Sequence, residues 1–343
     1  MSNIWLIQFI LRANLSSIDI NKIPETWTKI GNEINSPETF SRYIFTDCKT
    51  TIRASINKKE KIKSVDFIFD KKLVAQKKIN FKETKGIKVS INHEESYQDK
   101  AILCIHLKNT SFIETYLKLL EKIISAIYEI ENQEYSIHKL LTEITNWRKC
   151  FEDENYEGLT KEEQIGLYGE LSVINEIYSK NVSPEKILKF WFGPDGGLHD
   201  FKFPNFFLEV KTYSKKQNKI KINNIDQLNY KSYSNLHLGC AEIQIDDSGM
   251  SLVELISGLQ EMIFKEPSLY DKFTEKLNAY GYFDIHKDNY SNKFLMNGIN
   301  FFKVEKNFPS ILKEDVLEGI IDISYSIELN SCTEFKCNND FIC

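Results

Sequence analysis

The apolar residues change their spacing along the chain, and the changes divide it. Up to about residue 110 the apolar runs are short and strand-like: Tyr43–Ile56, Val65–Val74, Ile87–Ile91 and Ala101–Leu107. Asp70-Lys71-Lys72 marks a turn or strand end, and the opening MSNIWLIQFILRANL reads as a strand or a helix. Helical spacing then takes over. Ser111 and Glu114 form a capping box, followed by Ile113, Leu117, Leu120, Ile124 and Ile127 on one face. A second helix runs from about Glu134 to Phe151, with Leu140, Ile144 and Trp147 along one side. A third starts at a Thr160–Glu163 capping box and carries Leu167, Leu171, Ile174 and Tyr178.

Beyond residue 190, strand and helix patterns alternate, as in an α/β domain. Strand signals fall at 199–213, at Ile220 and Ile222, and at Leu236–Ile245. Helix signals fall near Asp226–Tyr233 and at Leu252–Phe264. Asn297-Gly298, between Lys293–Met296 and Ile299–Val304, predicts a two-residue hairpin. From Ile321 to Leu329 apolar and polar residues alternate as in a half-buried strand.

The chemistry concentrates in WFGPDGGLHDFKFPNFFLEVKTY, residues 191–213. Pro204-Asn205 separates two aromatic-rich runs and reads as a hairpin loop. A register symmetric about it sets Asp200 opposite Glu209, with Cβ atoms about 4.5–5.5 Å apart. Pro204 cannot take the positive φ of a type I′ turn, so a four-residue loop is expected. Glu209 and Lys211 share a strand face. Two opposed carboxylates want a cation between them, from Lys211 or from a bound metal. Such a pair suits a hard divalent ion, which takes one or two carboxylates plus substrate oxygens. That set points to metal-assisted hydrolysis.

The triplet alone is weak, since (D/E)-x-K also occurs at Asp47, Asp70, Glu83 and Glu334. Its apolar strand setting and Asp200 strengthen it, as does Glu170, three residues after Leu167 and four before Ile174 on the helix. Glu170 is either a boundary glutamate that reaches water or a buried acid paired with a lysine or metal. Gly166 and Gly169 permit close packing of that helix on a sheet.

GLYGEL (166–171), W-x-G-P (191–194), HDF (199–201), LEVKT (208–212) and Asp226-Gln227-Leu228 together resemble the PD-(D/E)XK nuclease superfamily. More narrowly, they are similar to the bacterial "PD-(D/E)XK motif protein" family of restriction-like and phage-defence loci. The resemblance implies a restriction-endonuclease-like core, a four-stranded mixed sheet flanked by helices. It implies Asp200, Glu209 and Lys211 as catalytic, with Glu170 and Gln227 in support. It also implies Mg²⁺, or Mn²⁺, held by Asp200, Glu209, the Val210 carbonyl and Glu170. DNA is the implied substrate and an RNA or a silent scaffold role the alternative. Other defence subunits, an ATPase or a methyltransferase, and a homodimer are the implied partners. The literal Pro-Asp is Pro194-Asp195, in a glycine-rich turn; Asp200 is preferred because it stands in strand register. Gln227 reads either as a site residue or as a helix-surface glutamine. His199 alternates away from Asp200.

The fold expected is therefore α/β: a β-rich domain over 1–110, a helical connector over 111–157, a nuclease core over 158–265 and a C-terminal α+β extension over 266–343. The 343 residues carry a net charge of −5, so bulk charge announces no nucleic-acid binder. Locally, Lys202, Lys211, Lys215, Lys216, Lys219, Lys221 and Lys231 outnumber Glu209 and Asp226. That run is either a phosphate-contacting surface or a solvated face. The dense lysines of 58–88 protect edge strands or contact nucleic acid. The seven cysteines form no CxxC pair, which suits free thiols in a cytoplasmic protein. The N-terminal apolar stretch is too short to span a membrane. No Walker A loop, GxSxG, HExxH, zinc finger or repeat occurs.

Overall fold

The computed structural model describes residues 18–33, 39–57, 59–75, 77, 81, 83–94, 98–152 and 157–342. The N-terminal stretch 1–15 lies outside them. The chain forms two compact units, Met1–Tyr156 and Glu157–Cys343.

The first unit holds an antiparallel sheet in the order β1-β2-β3-β5-β4: β1 Thr39–Ile44, β2 Thr51–Asn57, β3 Ile62–Asp70, β4 Ile87–Asn92 and β5 Lys100–Leu107. The run expected as one strand over Tyr43–Ile56 is two, reversed between Ile44 and Thr51. Val65–Val74 likewise ends as a strand at Asp70, where a short helix, α2 Lys71–Ala75, begins. Helix α1 Lys22–Glu33 was not expected. Ile23, Trp27 and Ile30, four and three residues apart, are fully buried on it. Helix α3 Ile113–Ile127 covers the central strands: the Tyr116 hydroxyl donates to the Ile105 carbonyl and accepts the Val65 N–H. Its entry is capped by Asn109, which accepts the Ser111 N–H, not by Ser111. Its buried face is Tyr116, Leu119, Leu120, Ile123, Ile124 and Ile127, with Leu117 at the margin. Helix α4 Gln133–Asn146 packs beside it.

Alternate positions on β2 and β3 form a buried polar cluster. Arg53 donates through Nε to Asp66 (3.0 Å) and through both terminal nitrogens to Glu94. Ser55 and Ser64 donate to Asp66 at 2.5 and 2.8 Å.

The second unit is built on a mixed sheet in the order β12-β10-β9-β7-β6. Its strands are β6 Phe201–Lys202, β7 Phe207–Tyr213, β9 Leu236–Ser251, β10 Lys293–Val304 and β12 Lys336–Cys337. Only β7 and β9 run parallel. The sheet has five strands where four were expected. A separate ribbon pairs β8 Lys219–Ile222 with β11 Tyr325–Glu328. Helices α5 Lys161–Ser179, α6 Pro184–Phe190, α7 Leu252–Met262 and α8 Pro267–Tyr280 complete the unit.

Strand alternation gives the sheet two apolar faces. Leu208, Val210, Ala241 and Ile243 meet Leu167, Leu171 and Ile174 of α5 on one. Leu236, Leu238 and Cys240 meet Ile220, Ile222 and Ile327 of the ribbon on the other. Tyr178, expected on the apolar stripe of α5, is 39% exposed near the helix end.

Three expectations fail here. Asn297-Gly298 does not reverse the chain; β10 runs on through it beside β9, and the extra residue forms a bulge between Met296 and Gly298, with Gly298 at φ 140°. The helix near Asp226–Tyr233 is a single turn, Ile225–Leu228. The strand over Ile321–Leu329 shortens to β11, and Ile321 is 92% exposed. Among the described residues six cysteines are free, and no helix is long and apolar enough to cross a membrane.

Candidate active site

The β6–β7 ladder sets the geometry. Phe201 pairs with Leu208 and Lys202 with Phe207, the register symmetric about Pro204-Asn205. Four residues, Phe203–Phe206, connect the strands, and the Phe203 N–H donates to the Phe206 carbonyl. Carried one step further, this register opposes Asp200 to Glu209. Asp200 lies just before β6 and bends onto β7, where its Oδ2 accepts the Val210 N–H at 2.7 Å. Its carbonyl accepts the N–H groups of Phe192 and Gly193, which ties it to the glycine turn.

Glu209 is 1% exposed. Its Oε1 accepts from Lys211 Nζ and from Gln227 Nε2 (2.7 Å). Its Oε2 is buried and has no hydrogen-bond partner among the described residues. Burial, then the Asp200 carboxylate, push the Glu209 pKa up to about 8 against the pull of Lys211. Burial alone would lower the Lys211 pKa, but Glu209 and Asp200 outweigh it and raise it. Asp200 is raised by burial despite Lys211 and the Val210 N–H.

Glu170 joins them from α5. Gly169 lets the helix sit low: a Cβ there would come within 2.4 Å of Thr212 Cγ2 on β7. The next residue, Glu170, is 6% exposed, and its Oε2 accepts the Trp191 indole N–H at 2.7 Å. Burial, then Asp200, raise its pKa well above the usual range. A Cβ on Gly193 would lie 2.2 Å from Glu170 Oε2 and 3.2 Å from Asp200 Oδ1, so both acids border the space that this glycine leaves open.

Gln227 reaches the site from its one-turn helix. Its Oε1 accepts the Asn223 and Asn224 N–H groups, which aims its Nε2 at Glu209. Neutral His199, its pKa lowered by burial, donates from Nε2 to the Gln227 carbonyl at 3.0 Å, so it braces the site from behind. Asp195 stands apart, in the turn, paired with Lys276 of α8. Lys276 also donates to the Trp191 carbonyl at 2.6 Å.

The structure thus gathers Asp200, Glu209, Lys211, Glu170 and Gln227. Sequence reasoning missed Trp191 as the partner of Glu170. It also missed Lys276, and Tyr280, whose phenol is raised first by burial and then by Glu170. Trp191 stood in a recognised motif, but no local spacing ties it to a residue 21 positions earlier. Lys276 and Tyr280 carry no local signal.

No group of three or more His, Cys, Asp or Glu residues able to hold a metal ion occurs among the described residues. Asp200 and Glu209 still fit one, since Mg²⁺ is commonly bound by one or two carboxylates plus substrate oxygens. The partnerless, buried Glu209 Oε2 is the observation that favours this fit. The Val210 N–H faces Asp200, and in a strand the carbonyl of a residue points to the same edge as its N–H, which adds a third oxygen. With all acids ionised, three carboxylates against Lys211 leave two negative charges, which one divalent ion balances.

Sheet and site together define a carboxylate–lysine centre on the edge of a mixed β-sheet, with helix α5 supplying a further acid. The family model described as "Putative PD-(D/E)XK family member, (DUF4420)" matches residues 23–330, and the chain belongs to that family. That membership suggests a nuclease-like function. No curated protein and no solved structure matches the chain.

Proposed function

We propose that the protein is a metal-dependent endonuclease that hydrolyses phosphodiester bonds, in DNA, within a bacterial restriction or phage-defence system. The single observation that carries the reading is the buried Glu209 carboxylate, with Lys211 and Gln227 on one oxygen and no hydrogen-bond partner for the other among the described residues. Asp200, Glu209 and the Val210 carbonyl would hold Mg²⁺ or Mn²⁺. Bound there, the ion would polarise a phosphoryl oxygen and lower the pKa of its water. Lys211 keeps two of its three N–H donors free of Glu209 to orient the attacking water and to meet charge developing on the phosphoryl group. Glu170, clamped by Trp191, keeps the site acidic from the helix side. Gln227 holds Glu209 in its rotamer.

The test is cleavage of plasmid, linear and single-stranded DNA and of RNA, with Mg²⁺ or Mn²⁺, by wild type, Glu209→Ala and Lys211→Ala. Expected is metal-dependent cutting of DNA that falls at least about a hundredfold in both variants. Cutting of RNA alone would move the substrate. Absence of both cutting and calorimetric Mn²⁺ binding would leave a silent binding or scaffold subunit.

A further inference from the structure

Two surface patches of the second unit have complementary chemistry. The first is the loop between Leu312 and Tyr325. Leu317, Ile320 and Ile321 are 79%, 53% and 92% exposed on it, among Glu318 and Asp322. Three aliphatic side chains this exposed within five residues mark a contact surface rather than ordinary surface scatter. Lys313 and Glu314 pin the base of the loop to Asp226 and Lys231, so the apolar tip is presented by a tethered stem. Glu318 and Asp322 make no ion pair among the described residues.

The second patch is a groove of about 580 Å³ between the start of α5, the end of β7 and the middle of β9. Ile165, Ile243 and Ile245 line it, with Ile245 47% exposed. Lys215, Lys216 and Lys219 rim it, against one acid, Glu162. All three lysines are exposed and unpaired with any acid among the described residues. The loop therefore offers aliphatic side chains flanked by acids, and the groove offers an aliphatic floor flanked by lysines.

The two do not meet within one copy: Leu317 and Ile321 stay 79% and 92% exposed, and no residue of the loop lines the groove. In the β8–β11 ribbon, Tyr325 pairs with Ile222 and Glu328 with Lys219. The loop enters the ribbon at the Ile222 end, whereas the groove lies at the Lys219 end, a full strand length away.

We infer that the loop of one copy seats in the lysine-rimmed groove of a second copy of this chain, and that the pair exchanges loops about a two-fold axis. Reciprocal exchange covers both patches on both copies. A one-sided contact would leave a loop and a groove open and propagate as a filament. This inference rests on surface chemistry alone and stands apart from the proposed catalysis.

Sedimentation velocity of the full chain tests it, over a hundredfold concentration range and at low and high salt. Wild type should be dimeric at low salt. Ile321→Asp, and separately the triple variant Lys215→Glu, Lys216→Glu, Lys219→Glu, should each weaken association at least about tenfold. These residues are exposed, so folding should persist, and circular dichroism checks it. Adding Glu318→Lys and Asp322→Lys to the triple variant should restore the dimer. A wild type that is monomeric throughout overturns the inference, as does a dimer indifferent to either variant. So does a triple variant that loses nucleic-acid binding while still dimerising, which would assign the groove to substrate.

Discussion

Both units bury charge on a β-sheet, and they do so in opposite ways. In the first, Arg53, Asp66 and Glu94 lock together: the guanidinium spends its donors on two acids, and Ser55 and Ser64 complete Asp66. In the second, three carboxylates face one lysine, and a buried Glu209 oxygen has no partner among the described residues. A cluster that only supports the fold satisfies its polar groups, because each buried orphan costs about 1–3 kcal/mol. The incomplete cluster is the one we propose to receive a metal ion.

The difference can be broken from the first side most forcefully. Arg53→Ala would strand Asp66 in the interior, and loss of one member of a buried pair costs about 3–5 kcal/mol. Urea unfolding should show that loss in the first unit's transition. The opposite result, a neutral Arg53→Ala, would mean that Asp66 and Glu94 are not held by it.

Metal sharpens the comparison next. Mn²⁺ at a hundred times its Kd should stabilise the second unit by about 2.7 kcal/mol and leave the first unchanged. Calorimetric melting with and without EDTA measures this, and Asp200→Asn should abolish the effect.

A smaller effect has the reverse sign. Removing a charge from the crowded site should relieve repulsion, so metal-free Asp200→Asn should be more stable by about 0.5–2 kcal/mol while losing activity. Destabilisation by Asp200→Asn would indicate that its bond to the Val210 N–H outweighs the repulsion.

A further effect is graded with pH. The folded-state pKa of Glu209, about 8, lies above its ordinary value of 4.5. Its contribution is then fully present at acid pH and is lost as pH rises through about 8. In EDTA the second unit should melt at lower temperature as pH goes from 5 to 8. With Mn²⁺ the slope should flatten or reverse, because the ion needs the deprotonated carboxylate. A flat profile in EDTA would show that Glu209 titrates normally.

Much of this was legible in the chain, for reasons that are local. Loop symmetry about Pro204-Asn205 sets the Phe201–Leu208 register, and the Thr160–Glu163 box starts α5 where expected. The failures come from partners distant in sequence. Asn297-Gly298 has turn chemistry, but β9 is long enough to pair on both sides of it, and a bulge absorbs the residue. Ile321 and Ile323 keep strand alternation, yet β8 is only four residues long and offers them no partner. Trp191 and Lys276 join the site through tertiary contacts that no spacing announces.

The four-residue connection Phe203–Phe206 has a consequence for how this family can vary. Side chains alternate faces, so changing the loop by one residue while keeping its closure would slide β6 by one step. Losing a residue would turn His199 toward Glu209 in place of Asp200; gaining one would present Phe201. Point substitutions in the loop leave the chemistry untouched, whereas an in-frame insertion or deletion of a single codon would erase it without altering any residue of the site. In related chains, conserved spacing between this aspartate and this glutamate should therefore be a stricter criterion than the identity of anything between them.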